Sequence, residues 1–482
     1  MHDGSNPLLR VVHARGSRTA LIVDERPVSF AALDDLSAGV AAALVHRGVR
    51  KGDRVALVVR SSLDGVACLL GGLRVGAVVV PVNPGYQTAE FAHVLADSGA
   101  ALVIVDEPCA ALDGVIAGRA VVTSGALVAE GAQTLDAADA ALHADDLALL
   151  IYTSGTTGRS KGCAHTVGSL AAGLGALMDL WAIGPDDVVL NALPLFHVHG
   201  LCVCLLGALA RGACTRLVPR FTPEAVVDGA RRGVTVFMSV PTMVYRLLGV
   251  LDDDGAAALA ALRLVTCGSA ALSAEKLRAF HARTGLTILE RYGMSETLIT
   301  VSNPLVGERR PGAVGKAVPG TLLRVLDDEL QVSSAGTMKG YWQRPDADAE
   351  SFVTDAEGRR WFKTGDVVAL DDDGAVRIVG RASQDIMKVG GYKLSTREIE
   401  EQIEGHPAVR EVAVVGLADA EWGERVCAVV ALHPGASLTL AELQAHVQLA
   451  EVKRPRALVL VDALPRNALG KVMKSALKQR PG

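Results

Sequence analysis

Apolar residues run along this chain in two rhythms. Short continuous runs, RVALVV at Arg54–Val59, AVVVPV at Ala77–Val82 and ALVIVDE at Ala101–Glu107, are separated by longer alanine-, leucine- and glycine-rich stretches such as SSLDGVACLLGGLRVG at Ser61–Gly76. A strand buried on both faces needs apolar residues at every position, and the longer stretches have helical length. Regular exchange between the two predicts an α/β fold of layered, mostly parallel sheets covered by helices. The rhythm returns in ALRLVTCG (Ala261–Gly268) and GLTILERYG (Gly285–Gly293).

Past about Gly320 the strands shorten and Asp/Gly turns divide them, as in WFKTGDVVALDDDGAVRIVGR. DDDG at Asp371–Gly374, between two alternating runs, predicts a hairpin and hence a small β-rich subdomain. A further change follows Arg381. STREIEEQIEGHP reads as an amphipathic helix with Ser395 and Thr396 as N-cap candidates. VREVAVVGLAD and ERVCAVVALHP read as strands and SLTLAELQAHVQ as a helix, which predicts a small α+β lid. The expected division is 1–381 and 382–482.

Composition narrows the class. Of 482 residues, 50% are hydrophobic, 21% are charged and only 4% are aromatic, so the cores are expected to be aliphatic. A net charge of −5 with scattered Lys and Arg gives no nucleic-acid surface. The longest apolar stretches, such as LCVCLLGALA at Leu201–Ala210, fall short of a bilayer span, and the N-terminus lacks the pattern of a secretory signal. Eight cysteines occur without a CxxC pair, and Cys202 and Cys204 are too close for a zinc pair. The expectation is reduced core cysteines in a cytoplasmic protein that binds neither membrane nor nucleic acid.

The first candidate chemistry is the loop TSGTTGRSKG at Thr153–Gly162, directly after the strand DLALLIY at Asp146–Tyr152. Ligands of open α/β sheets bind beyond the carboxyl ends of strands. A glycine-rich loop there can aim N–H groups at phosphate oxygens. Thr153, Ser154, Thr156 and Thr157 add hydroxyls, Lys161 adds charge, and Gly155 and Gly158 relax the backbone. The loop is not of the GxxxxGK[ST] type.

With this loop, LPLFHVHG (Leu193–Gly200), CGSAAL (Cys267–Leu272), ERYGMSET (Glu290–Thr297), WFKTGD (Trp361–Asp366), GRASQDIMKVGGYKLSTREIE (Gly380–Glu400) and PRNALGK (Pro465–Lys471) occur in order. The set resembles the adenylate-forming superfamily of acyl-CoA synthetases, luciferases and peptide-synthetase adenylation domains, over essentially the whole chain. The resemblance implies that a carboxylate attacks the α-phosphorus of ATP, and that a thiol, normally of coenzyme A, then displaces AMP. It implies Lys471 as the catalytic lysine, Ser295 as an α-phosphate donor and Glu296 as the Mg2+ carboxylate. Glu290, Tyr292, Gly293 and Met294 then lie along the adenine, with Tyr292 stacked on it. Asp366 would accept the ribose hydroxyls, and Arg381 would lie near ribose and phosphate. Gly268, Ser269 and Ala270 would wall the adenine and touch the acyl group. Gly390, Gly391 and Tyr392 would open the thiol path, after a hinge within Arg381–Asp385.

Arg291 is the residue that bears on the acid. The segment around it resembles the malonyl-CoA synthetase branch. A guanidinium there can clamp a distal carboxylate bidentately, whereas buried and unpaired it is costly. Malonate or methylmalonate is therefore the expected small-molecule carboxylic acid. Scaffold pairing of Arg291 with Glu290 or another carboxylate is the competing reading, and with it adenylation of a different small acid, aromatic, unsaturated or another oxyanion, with or without transfer to coenzyme A. His197 is expected to line the acyl pocket with Ser269, and His199 to be structural. Ser160 replaces the usual proline, Ser383 occupies the usual hinge position, and the stretch around Asp327–Glu329 and Ser333–Gly336 is shorter than the family pattern.

Overall fold

The structure is a computed structural model. It describes residues 9, 12, 14, 16–116, 118–133, 139–153, 160–382, 385–389, 392–419, 422–467 and 472–478. The expected α/β architecture is present. Leu147–Tyr152, Val78–Pro81, Arg54–Val58, Leu102–Val105 and Ala120–Thr123 pair in parallel in that order. Gly162–Thr166 and then Gly340–Tyr341 extend this sheet antiparallel beside Leu147–Tyr152.

A longer sheet has a parallel half, Thr19–Val23, Cys214–Leu217, Val188–Asn191, Val236–Ser239, Leu264–Cys267 and Leu289–Met294. It continues antiparallel through Leu298–Ser302, Ala313–Ala317, Val376–Arg381, Arg360–Leu370, Glu329–Ser334 and Thr321–Leu326. Strand Leu289–Met294 is thus parallel to one neighbour and antiparallel to the other. One continuous aliphatic core joins this sheet to the first, drawing in Leu57, Val79 and Leu149 on one side and Leu190, Phe237 and Leu264 on the other.

The predicted hairpin is present: Arg360–Leu370 pairs antiparallel with Val376–Arg381 across DDDG. The shortened stretch closes as a two-residue hairpin with Leu326 opposite Glu329. Asp327 and Asp328 there have φ of 52° and 69°, the left-handed pair that matches strand twist. From Ile386 onward a third sheet orders Tyr392–Ser395, Ile386–Val389, Gly423–Leu432 and Val409–Asp419, with Ala457–Leu460 parallel to Gly423–Leu432.

Two local expectations change. Helix Thr396–Glu404 has no side-chain cap, because Ser395 Oγ donates instead to Val379 O at 2.6 Å and Thr396 is already helical. LCVCLLGALA lies largely in a π-helix, His199–Gly207, a form concentrated at functional sites. Among the described residues no helix is long and apolar enough to cross a membrane.

Candidate active site

Strand Leu289–Met294 sends successive side chains to opposite faces. Glu290 and Tyr292 share one face and Arg291 takes the other. Tyr292 donates its hydroxyl to Asp366 Oδ2 at 2.6 Å. Arg381 Nε lies 3.2 Å from Asp366 Oδ1, and its Nη2 donates to Thr364 O at 2.9 Å. The hairpin register sets Asp366 opposite Arg381, so one tyrosine, one carboxylate and one guanidinium meet. Burial and Asp366 hold the Tyr292 phenol well above its ordinary range, so the hydroxyl stays protonated.

Glu290 faces elsewhere. Its carboxyl accepts Gly312 N–H at 3.3 Å. Burial raises it to about 7, with Arg397 and Arg377 opposing and Glu401 adding to the rise. No hydrogen bond or ion pair joins Glu290 to Arg291 among the described residues, so the scaffold pairing is absent.

Both ends of the phosphate-loop candidate are described. Thr153 N–H donates to Lys161 O at 3.0 Å, which clasps the loop. Lys161 Nζ sits 5.0 Å from the centre of the Tyr341 ring. Tyr341 in turn donates its hydroxyl to Glu296 Oε1 at 2.9 Å. Glu296 is buried, which raises its carboxyl pKa. His165 Nε2 lies 2.7 Å from Ser295 O and Nδ1 lies 3.3 Å from Ser169 Oγ. Burial lowers His165 to about 4, so the neutral ring donates Nε2–H to that carbonyl and fixes the Ser295–Glu296 turn. Tyr341 and His165 were not singled out in the sequence. In a chain with 4% aromatic residues, the pair at Tyr341–Trp342 was the available signal.

The opposite face of the strand holds Arg291, only 3% exposed. Its Nε and Nη2 have no hydrogen-bond partner among the described residues. Burial lowers its pKa to about 10, which leaves it charged at neutral pH. A Cβ on Gly268 would stand 2.6–2.7 Å from the guanidinium, so glycine is what makes room for it. Ser269 follows with φ of 72°, a strained setting for a non-glycine residue.

His197 Nε2 and both ring nitrogens of His199 are also buried without partners. Burial lowers His197 to about 4, and burial, Arg291 and His197 hold His199 far below its usual range. Both rings are neutral. His199 is thus a buried neutral ring without hydrogen-bond partners among the described residues, close enough to Arg291 to feel its charge. Nearby, Asn191 donates to Gly200 O at 3.0 Å and accepts Leu193 N–H at 3.1 Å.

An AMP-binding enzyme family matches residues 8–342, and its C-terminal domain matches residues 398–471. The chain belongs to the AMP-binding enzyme family. It is 37% identical to a probable CoA ligase of Humulus lupulus, over 89% of this chain and 80% of that one. It is 37% identical to a malonate–CoA ligase of Arabidopsis thaliana, over 90% of this chain and 78% of that one. Among solved structures, ATP-bound MatB from Rhodopseudomonas palustris superposes with a TM-score of 0.91 at 35% identity, covering 98% of both chains. The apo form of the same protein, at equal identity and coverage, gives 0.81.

Several anticipated residues of this AMP-binding enzyme lie outside the described residues: Ser154, Gly155, Thr156, Thr157, Gly390, Gly391 and Lys471. Tyr392 is 64% exposed, and Ala270 is exposed beside Ser269. Met294 packs with Cys163, Met338 and Phe362 in a small apolar cluster. Gly293 admits no side chain, since a Cβ would stand 2.0 Å from Leu298 O.

Proposed function

We propose that this AMP-binding enzyme joins malonate, or methylmalonate, to coenzyme A with ATP, through an acyl-adenylate. The observation that carries the reading is the buried Arg291 guanidinium, with two nitrogens lacking partners, near the neutral rings of His197 and His199. A charge without a partner in the interior is costly, and a ligand carboxylate that accepts from the guanidinium and an imidazole N–H offsets that cost. Identity to malonate–CoA ligases supports the same acid.

The reacting carboxylate is ionised at neutral pH and needs no base. It attacks the α-phosphorus of ATP and pyrophosphate leaves. The coenzyme A sulfur then attacks the acyl carbon, AMP leaves and the thiol proton is released. The protein's part is positioning and stabilisation of phosphate charge. In this reading Thr153, Ser154, Gly155, Thr156, Thr157 and Lys161 hold the triphosphate. Tyr292, Asp366 and Arg381 hold the nucleoside, and Ser295 meets the α-phosphate. Lys471 bridges phosphate and acid, and Gly390, Gly391 and Tyr392 guide the thiol. Residues 1–381 form the nucleotide-binding part and 382–482 the lid. A cytoplasmic setting belongs to the same reading, supported by eight free cysteines.

Glu296 fits a magnesium ion. It is a single buried carboxylate beside Lys161 and Tyr341, and the described residues contain no group of three or more His, Cys, Asp or Glu side chains able to hold a metal. Mg2+ favours such a site, one carboxylate completed by phosphate oxygens and water. Bound there, it would neutralise triphosphate charge.

Acid-dependent ATP–pyrophosphate exchange across malonate, methylmalonate, acetate, butyrate and benzoate tests the proposal. Malonate and methylmalonate should lead; indifference to malonate would remove it.

A further inference from the structure

Lys474 is a second buried cation, far along the chain from Arg291 and unlike it in surroundings. It opens the helix Lys474–Lys478, whose Leu477 packs with Leu464 in the C-terminal core. Its ammonium has three donors and three acceptors. Nζ lies 2.6 Å from Asp385 Oδ1, 2.7 Å from Thr396 Oγ1 and 2.8 Å from Glu400 Oε1. Glu400 is tied further to Val414 N–H at 2.7 Å. The exposures of the Lys474, Asp385 and Glu400 side chains are 11%, 19% and 15%.

The three acceptors differ in what they carry. Asp385 and Thr396 close the root of the hairpin formed by Ile386–Val389 and Tyr392–Ser395, with Thr396 N–H donating to Asp385 O at 2.8 Å. Asp385 also grips the end of the preceding sheet, accepting Arg381 N–H on Oδ2 at 3.0 Å. Lys474 directly follows the closed root of another loop. Arg466 and Val472 pair antiparallel, and Met473 N–H donates to Pro465 O at 2.8 Å immediately before Lys474. Glu400, by contrast, belongs to neither root.

We propose that Lys474 is a positioning residue whose ammonium pins the roots of both loops to one point. One loop leads through residue 471 and the other through residues 390–392, the segments to which the proposed function gives the adenylation and thiol steps. The inference rests on that reading. A single anchor joins the two roots, so a change at either contact is felt by the loop whose root it holds.

Three variants test it, with the half-reactions measured separately as pyrophosphate exchange and as reaction of preformed malonyl-adenylate with coenzyme A. Thr396→Val removes one contact and leaves the charges in place. It should slow the coenzyme A half-reaction about three- to tenfold while exchange stays within about twofold. Lys474→Arg keeps the ion pairs but lengthens the arm, so its melting temperature should hold while exchange falls about tenfold or more. Glu400→Gln keeps an oxygen acceptor for the ammonium and touches neither root, so it should leave both half-reactions within about twofold. An unchanged coenzyme A step in Thr396→Val, unchanged exchange in Lys474→Arg, or the Thr396→Val pattern in Glu400→Gln would each overturn the anchor. Should Lys474→Arg fail to fold, the contrast of Thr396→Val with Glu400→Gln decides alone. Absence of malonate-dependent exchange in the wild-type protein would instead mark failure of the functional reading.

Discussion

Arg291 and Lys474 are both buried cations, yet Arg291 leaves two of its nitrogens without partners and Lys474 satisfies all its donors. The difference separates a group shaped for a ligand from a group shaped for the fold. At Arg291 the surrounding groups are glycine, thiols and neutral imidazoles, none of which balances a positive charge. At Lys474 two carboxylates hold the ammonium above its ordinary range, and it in turn holds Asp385 below its own. Burial alone therefore does not mark a site; burial with unmet hydrogen-bonding capacity does.

The widest separation between the two should appear in stability. Lys474→Met strands two buried carboxylates and is expected to cost about 3–5 kcal/mol in denaturant unfolding of the C-terminal subdomain. Arg291→Met removes an unpaired buried charge and is expected to leave the melting temperature unchanged or higher. A large loss in Arg291→Met would mean that the guanidinium is already paired in the free protein.

Gly268→Ala comes next. Its Cβ would stand within 2.7 Å of the Arg291 guanidinium, which must then shift. The malonate KM should rise about tenfold, as overpacking of a tight contact costs 1–3 kcal/mol. The KM for ATP should change much less.

The smallest effect concerns pH and the other face of the Arg291 strand. Glu290 and Glu404 are both raised to about 7 by burial, Glu404 with help from Glu400, Glu401 and Glu275. A carboxyl whose folded pKa lies above its unfolded value binds a proton in the folded state that the unfolded chain has released. Its stabilisation is complete below the unfolded value and is lost as pH rises toward about 7. The melting temperature should therefore drift down by a few degrees from mildly acidic to mildly alkaline pH. Glu290→Gln should flatten part of that drift; an unchanged slope would assign the drift elsewhere.

What the sequence disclosed follows from which forces are local. Continuous apolar runs report strands buried on both faces, so the parallel sheets were legible. The strand Leu289–Met294 itself was legible as GLTILERYG, and its alternation sets Arg291 on the face opposite Glu290 and Tyr292. Asp366 and Arg381 meet because a simple hairpin joins their strands, whereas the contact of Tyr292 with Asp366 depends on strands that are distant in sequence. The surroundings of His199 were not legible, because the neighbours of a histidine are set by residues distant in sequence, here Arg291 on a strand ninety-two positions later. Tyr341 escaped for the same reason, reaching Glu296 and Lys161 only through the pairing of Gly340–Tyr341 with Gly162–Thr166. Lys474 resembles any exposed helix lysine until Asp385 and Glu400 are folded against it.

The most direct test of the central claim is pyrophosphate exchange by wild-type protein and Arg291→Met with malonate and with butyrate, in one preparation of each. If Arg291 waits for a distal carboxylate, malonate-dependent exchange falls by about a hundredfold or more while butyrate-dependent exchange holds or rises. An equal fall for both acids would contradict the account.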